Sequence, residues 1–412
     1  MTRPSPNPSP RPANVRLLAI IGTTITMIGV IVGIVNDGAS ILKNFKGRSP
    51  TQDAESYYDR GDEHYDRREY EKALADLEQA IRLNPKLTKA YNLMGLVYHN
   101  RGEYEKAIFN YSIAIGLNPD SALLYNNRGW TYYNQREYEK AIPDYSKAIL
   151  LDRMYPLAHR NRGLVYSKQG KYEQALADYN QAIQLNPKFS DAYYARGLAY
   201  YHHGEYEKAL TEFNQTIRLN PKYANAYYNK GIVYRKQREY EKALTEFNQA
   251  IKINPRYADA YNNMGIVYRE QGEYEKALDD FNQAIQINFK HTDAHYNRGD
   301  AYFNQGEYEK ALDDFNQTIQ LNPKYTNAYI GRGIVYREQG EYEKALDDFN
   351  QAIQINPKYV NVYFSRGLIH KRNKNIDKAI SDFEKAADLY KQQGNQKWYQ
   401  NSLDRLRELR GN

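Results

Sequence analysis

The chain of 412 residues has no cysteine and only two tryptophans. It therefore has no disulfide and no thiolate nucleophile or metal ligand, and redox logic gives no guide to compartment. It also lacks a dominant charge, since 57 basic and 50 acidic side chains leave a net charge of only +7. The basic residues are scattered rather than gathered into a stripe, which argues against nucleic acid as a partner. No Gly-rich phosphate loop, HExxH or GxSxG occurs. The eight histidines are dispersed, and His202-His203 has no further ligand at metal spacing. No catalytic residue, metal site, cofactor or small-molecule substrate is expected, and the chain reads as a non-enzyme.

What is present is repetition. Residues 327–358 read NAYIGRGIVYREQGEYEKALDDFNQAIQINPK, and a near copy begins at Asp259, two periods of 34 residues earlier. A fixed period of this size marks one supersecondary unit stacked many times. With Ala54 as position one, ten repeats run without a gap over 54–393. The eighth position is Gly in all ten, from Gly61 to Gly367, and the twentieth is always Ala, from Ala73 to Ala379. The eleventh is Tyr in eight repeats and His in the outer two, His64 and His370. The twenty-fourth is always large, and the twenty-seventh is Ala except for Thr216 and Thr318. Pro fills the thirty-second in seven repeats.

This pattern resembles the tetratricopeptide repeat (TPR) family. The resemblance implies an all-α, right-handed superhelical solenoid of helix-turn-helix repeats, each with a helix A and a helix B. One departure stands out: the Leu that usually precedes the family's Gly is Arg or Lys in eight of ten copies, as in Arg128, Arg162 and Lys230. The expectation here is a long aliphatic stem that covers apolar surface while its charge reaches water.

Residues 1–14, MTRPSPNPSPRPAN, carry five prolines and nothing able to bury apolar surface, so a disordered tail is expected. Leu17 to Val35 is a run of 19 uncharged residues. As a helix it would span roughly 28 Å, close to the hydrocarbon thickness of a bilayer. An uncleaved transmembrane signal-anchor over 15–36 is expected. A cleaved signal peptide, giving a secreted protein, is the alternative, with Gly38-Ala39-Ser40 as a tolerable site. Basic residues flank the run equally, and the short basic tail slightly favours a non-cytoplasmic side for the repeats. Gly29 and Gly33 form a GxxxG pair, read as ordinary membrane glycine content rather than a pairing device. A linker follows over 37–53, and residues 394–412 read as a capping helix with Tyr399, Leu403 and Leu406 on its apolar stripe.

Helical spacing puts the third, fourth, eighth, tenth and eleventh positions of helix A on its packed side. His159 and His295 replace Tyr at the fourth position, so they read as packed groups. Asn-Pro at the end of helix B should stop it, with Asn tolerating a left-handed turn. The recurring Glu-Tyr-Glu-Lys runs belong to the scaffold.

Positions that vary between copies are free of the stacking demand. The second, fifth, ninth, twelfth and thirteenth, together with the sixth, share an arc about 120° wide opposite the packed side. In the resembled family this arc lines the concave wall. Asn127, Asn161, Asn229, Asn263 and Asn297 occupy the sixth position. Their amides could hold a peptide backbone in both directions, as in the asparagine ladder of the TPR superhelices of O-linked N-acetylglucosamine transferases, or could instead bond the neighbouring helix. Alanine at Asn161, Asn229 and Asn263 is then expected to weaken capture with little change in melting. The twelfth position is aromatic early, with Tyr133 and Tyr201, and basic later, with Arg235, Arg269, Arg337 and Lys371. Trp130, Tyr194, Tyr228 and Tyr296 add aromatic surface. Aromatic and Arg side chains are the usual anchors of interfaces. The set fits an extended segment with apolar and acidic residues, or a solvated face whose Arg pair with Glu270, Glu338 and second-position Asp such as Asp259. The carboxylate-clamp pattern of chaperone-tail adaptors in the family is missing. The expectation is a membrane-anchored scaffold that holds an extended segment of a partner protein and helps assemble a membrane complex. A self-assembling structural protein is the alternative.

Overall fold

The computed structural model describes residues 50–411, and the tail and the Leu17–Val35 run lie outside them. The described residues form 21 helices and no strand. No helix among them is long and apolar enough to cross a membrane.

The chain divides into two compact units, Met1–Ala195 and Arg196–Asn412. In the first unit the helices are α1 (Pro50–Asp66), α2 (Tyr70–Leu83), α3 (Thr88–Asn100), α4 (Tyr104–Leu117), α5 (Ala122–Asn134), α6 (Tyr138–Leu151), α7 (Pro156–Lys168) and α8 (Tyr172–Leu185). The helix α9 (Ser190–His202) runs across the division. The second unit continues with α10 (Tyr206–Leu219), α11 (Ala224–Lys236), α12 (Tyr240–Ile253), α13 (Ala258–Glu270), α14 (Tyr274–Ile287), α15 (Thr292–Asn304) and α16 (Tyr308–Leu321). It ends with α17 (Thr326–Glu338), α18 (Tyr342–Ile355), α19 (Val360–Arg372), α20 (Ile376–Gln392) and α21 (Gln396–Arg410). Odd-numbered helices α1 to α19 are helix A of successive repeats, and even-numbered ones are helix B. Within each unit a helix A packs first on its own helix B and then on the helix B before it.

The conserved columns are the contact surfaces. The aromatic at position twenty-four lies against the Gly at position eight of its own repeat. A Cβ built on Gly231 would stand 2.7 Å from Phe247 Cε1, and one on Gly163 2.7 Å from Tyr179 Cε1. The Ala columns, from Ala73 to Ala379 and from Ala80 to Ala386, are fully buried. A small residue lets two backbones approach, and the ring fills what is left between turns. At the C-terminus, α21 lays Leu406 on the last repeat, with Tyr399, Leu403 and Leu409 packed around it.

The turns differ from the sequence reading. At the end of helix B, Asn356 is extended, with φ −138 and ψ 91. Its Oδ1 accepts from the backbone N–H of Lys358 at 3.1 Å. The following Pro favours this conformation, but Asn288 and Asp152 adopt it without one, each accepting from the N–H two residues on. The left-handed residue sits at the other turn, between helices A and B. It is Gly in six repeats, from Gly102 to Gly340, and Arg68, Arg136, Arg238 and Lys374 in the rest, with φ between 59° and 64°. A side chain there costs about 1–2 kcal/mol, partly offset by the chain entropy that Gly would lose. Arg238→Gly is therefore expected to stabilise the second unit by roughly 0.5–1 kcal/mol. A urea titration would show a raised midpoint at unchanged slope.

Candidate functional site

Except at Arg60, whose side chain is exposed, the basic residue before the Gly column does not send its charge to water. In all eight repeats where it is basic, it pairs with an acid sixteen residues later on helix B: Arg60–Asp76, Arg128–Asp144, Arg162–Asp178, Arg196–Glu212, Lys230–Glu246, Arg298–Asp314, Arg332–Asp348 and Arg366–Asp382. Most are bidentate, as in Arg332 Nε and Nη2 on Asp348 at 2.8 and 2.6 Å. Several reach a third element. Arg128 Nη1 donates to Ser112, Arg162 Nη1 to Ser146, and Arg298, Arg332 and Arg366 to Asn282, Asn316 and Asn350 on the preceding helix B. The aliphatic-stem expectation is thus corrected: the guanidinium is a staple between repeats. A planar five-donor fork can hold the acid bidentately and reach a third element at once, whereas the Lys230 ammonium pairs with Glu246 as a point charge. His159 and His295 join the same network, each with Nδ1 3.2 Å from the paired Asp. Burial alone would push the Asp178 carboxyl up, but the hydrogen bonds from Arg162 and His159 hold it below the usual carboxylate range.

The asparagine row needs correction too. Asn127 Nδ2 donates to Asn92 Oδ1, Asn161 Nδ2 to Asn126 Oδ1 and Asn297 Nδ2 to Asn262 Oδ1, each at 3.0 Å. Asn263 Nδ2 donates to the Tyr228 hydroxyl at 3.1 Å and to Asp259 O at 2.8 Å, and Asn229 Nδ2 donates to Asn225 O at 2.9 Å. Asn161, Asn263 and Asn297 are buried. The carbonyl oxygens are also engaged at Asn161 by Arg160 and at Asn297 by Arg269. The bonds that reach a neighbouring helix A tie it to the helix A of the preceding repeat. They are seam bonds rather than a free ladder, and alanine there would lower stability along with any capture. The reason is visible at Gly331, the sixth position of its repeat. A Cβ there would lie 2.7 Å from Phe315 Cζ of the repeat before it.

The remaining variable positions form a half-buried face on the helices A. In the first unit, Trp130 stacks on Tyr133 with ring centroids 5.1 Å apart and planes 13° from parallel. Tyr65 accepts from Asn100 Nδ2 at 2.9 Å, and Tyr194 is half-buried near the end of the unit. In the second unit Tyr201 packs on Tyr206, Tyr228 on Tyr257 at 4.9 Å, and Tyr296 on Tyr325 at 5.3 Å. Arg235 lies 3.6 Å from Glu270, Arg269 2.7 Å from Asp300 and Arg337 2.7 Å from Glu338, while Lys371 pairs with Glu408 of α21. Every basic residue of the row thus has an acidic partner. Second-position acids take other donors: Asp259 pairs with His291 and Asp293 accepts from the Tyr325 hydroxyl. Half-exposed pairs of this kind are worth about 0–1 kcal/mol and exchange readily. No cluster of three or more potential metal ligands occurs among the described residues.

Family models described as tetratricopeptide repeat or TPR repeat match residues 61–102, 97–136, 131–170, 160–224, 223–288, 292–325, 333–374 and 360–393. Together these spans cover well over half of the chain. The chain belongs to the tetratricopeptide repeat family. Similar solved structures include YrrB, described as a TPR protein with an unusual peptide-binding site. It is 25% identical over 46% of this chain and 97% of its own, with a TM-score of 0.38. MamA is 25% identical over 40% and 96% at a TM-score of 0.37, and yeast Tom70 is 13% identical over 87% and 95% at 0.48. No curated protein sequence matches the chain. The TPR architecture is that of an interaction scaffold.

Proposed function

We propose that this TPR protein is a scaffold whose helix-A face holds an extended segment of a partner protein. The observation that carries the reading is a division of labour between positions. The Gly and Ala columns, and a ring column in all repeats but the first, are buried. The fifth, ninth and twelfth positions change from repeat to repeat, and Trp130, Tyr133, Tyr194, Tyr201, Tyr228, Tyr296, Arg235, Arg269, Arg337 and Lys371 among them remain half-open. Aromatic and Arg side chains supply large contact area at modest entropic cost. The pairing of each base with an acid favours a partner of mixed apolar and polar character over a strongly acidic one. The uncharged Leu17–Val35 run supports a single membrane tether, the short basic tail before it slightly favours the non-cytoplasmic side for the repeats, and the scaffold so placed would help assemble a membrane complex.

The test is affinity purification of the full chain from membranes in mild detergent, with mass spectrometry of what co-elutes. Trp130→Ala with Tyr133→Ala is expected to reduce recovery of the main partner at least tenfold while circular dichroism and melting stay close to wild type. Unchanged recovery counts against this face. A second reading, self-assembly, draws on Leu123, Leu150, Met154 and Leu157, which are 49%, 64%, 70% and 36% exposed in the first unit. Apart from Gly116 at the position of Leu150, other repeats place polar or charged groups there. Light scattering that grows with protein concentration and vanishes in Leu150→Glu with Met154→Glu would favour it.

A further inference from the structure

One repeat kept its acid and lost its base. Helices α14 and α18 have the same sequence, YEKALDDFNQAIQI. In α18, Asp348 receives two hydrogen bonds from Arg332. In α14 the equivalent Asp280 faces a repeat whose seventh position is Met264, which is buried. Asp280 Oδ2 is shut off from solvent and has no hydrogen-bond partner. Repeat 2 shows the neutral solution to the same loss: there Met94 accompanies Asn110, whose Nδ2 donates to Lys106 O at 2.8 Å.

No neighbouring element supplies the missing cation. On α14 itself, Asp279 adds like charge, and Lys276 is paired with Glu273. On α13 the ionisable group coupled to Asp280 is the Tyr268 phenol, and on α12 Glu241 acts on that same phenol. On α15, Arg298 reaches α14 at Asn282, but its other nitrogens are bidentate on Asp314.

We propose that repeat 7 is a proton-operated weak point of the second unit: with Asp280 protonated the α13–α14 pair is closed, and on losing that proton the pair opens. The same opening releases the part of the helix-A face that carries Arg269. Burial, with the charge of Asp279, pushes the Asp280 carboxyl up to about 7, from an ordinary value of 3.8. The closed state therefore holds a proton that the open state releases. Its stability is full below the ordinary value and is lost as pH rises through about 7. The opening constant rises with pH across this window and is flat above it.

Hydrogen exchange on the full chain in detergent, corrected for intrinsic rates, reads this directly. Peptides from α13 are compared with those from α17, whose partner helix has the same sequence but a paired acid. The opening constant in α13 is expected to rise about tenfold or more between pH 5.5 and 7.5 relative to α17. Asp280→Asn, which copies repeat 2, should abolish the excess. Met264→Arg, which restores the cation, should abolish it too and leave α13 as protected at pH 7.5 as α17. Equal pH dependence of α13 and α17 in the wild type overturns the proposal, as does an excess that survives Asp280→Asn.

Discussion

Arg332→Met is expected to cost the second unit about 2–4 kcal/mol near neutral pH, because it leaves the Asp348 carboxylate buried with no counter-ion. The acid side chain is 5% exposed and the arginine side chain 21%, so the loss falls on a group that water barely reaches. The figure lies toward the lower end for a broken buried pair because the guanidinium is not itself fully buried. The companion Arg332→Met with Asp348→Asn should recover most of it, to within about 1 kcal/mol of wild type, since breaking one partner is costly and removing both is nearly neutral. Repeat 2, with Met94 and Asn110, already uses that combination. The single variant should also regain stability on acidification, as a proton neutralises the stranded carboxylate. Urea titrations of the three proteins at two pH values decide the matter. If the double variant is no better than the single one, the pair is not the source of the loss.

Gly231→Ala should lower stability by about 1–3 kcal/mol, although alanine is the better helix former by about 1 kcal/mol. The added methyl would sit 2.7 and 2.8 Å from Phe247 Cε1 and Cδ1. That ring has no exposed surface, so it can yield only by displacing packed neighbours. Gly116→Ala is the control. It lies on α4 with nothing within 4 Å of a built Cβ, and it should gain up to about 1 kcal/mol. Opposite signs for the two substitutions would separate close approach from helix propensity. The same sign for both would remove the packing argument.

Ten copies in one register name the packed columns. A position that never varies is one where a neighbour dictates size, and Gly61 to Gly367, Ala73 to Ala379 and the ring column all proved to be buried contacts. The staple was also written in the chain, but across columns rather than within one. Wherever the seventh position is basic, the residue sixteen later is Asp or Glu. Helical spacing does not reveal this, because the partners lie on two helices joined by a turn. It likewise does not show that Asn127, Asn161 and Asn297 donate to the helix A before them. A helical arc assigns the sixth position to the open side of its own helix, and it knows nothing of the ring that the previous repeat lays over it, as Phe315 does at Gly331.

The period, the number of repeats, the helices and their packed faces are legible in the residues alone, because they follow from local spacing and from what identical neighbours must share. Which polar groups are spent inside the protein is settled by the folded arrangement. Whether an arginine meets water or an aspartate, and whether an amide is free or tied to the next helix, depends on what another element places within about 3 Å. That is why the candidate face shrank from six positions to the aromatic and charged rows, and why Asp280 emerged as the one acid whose base is missing.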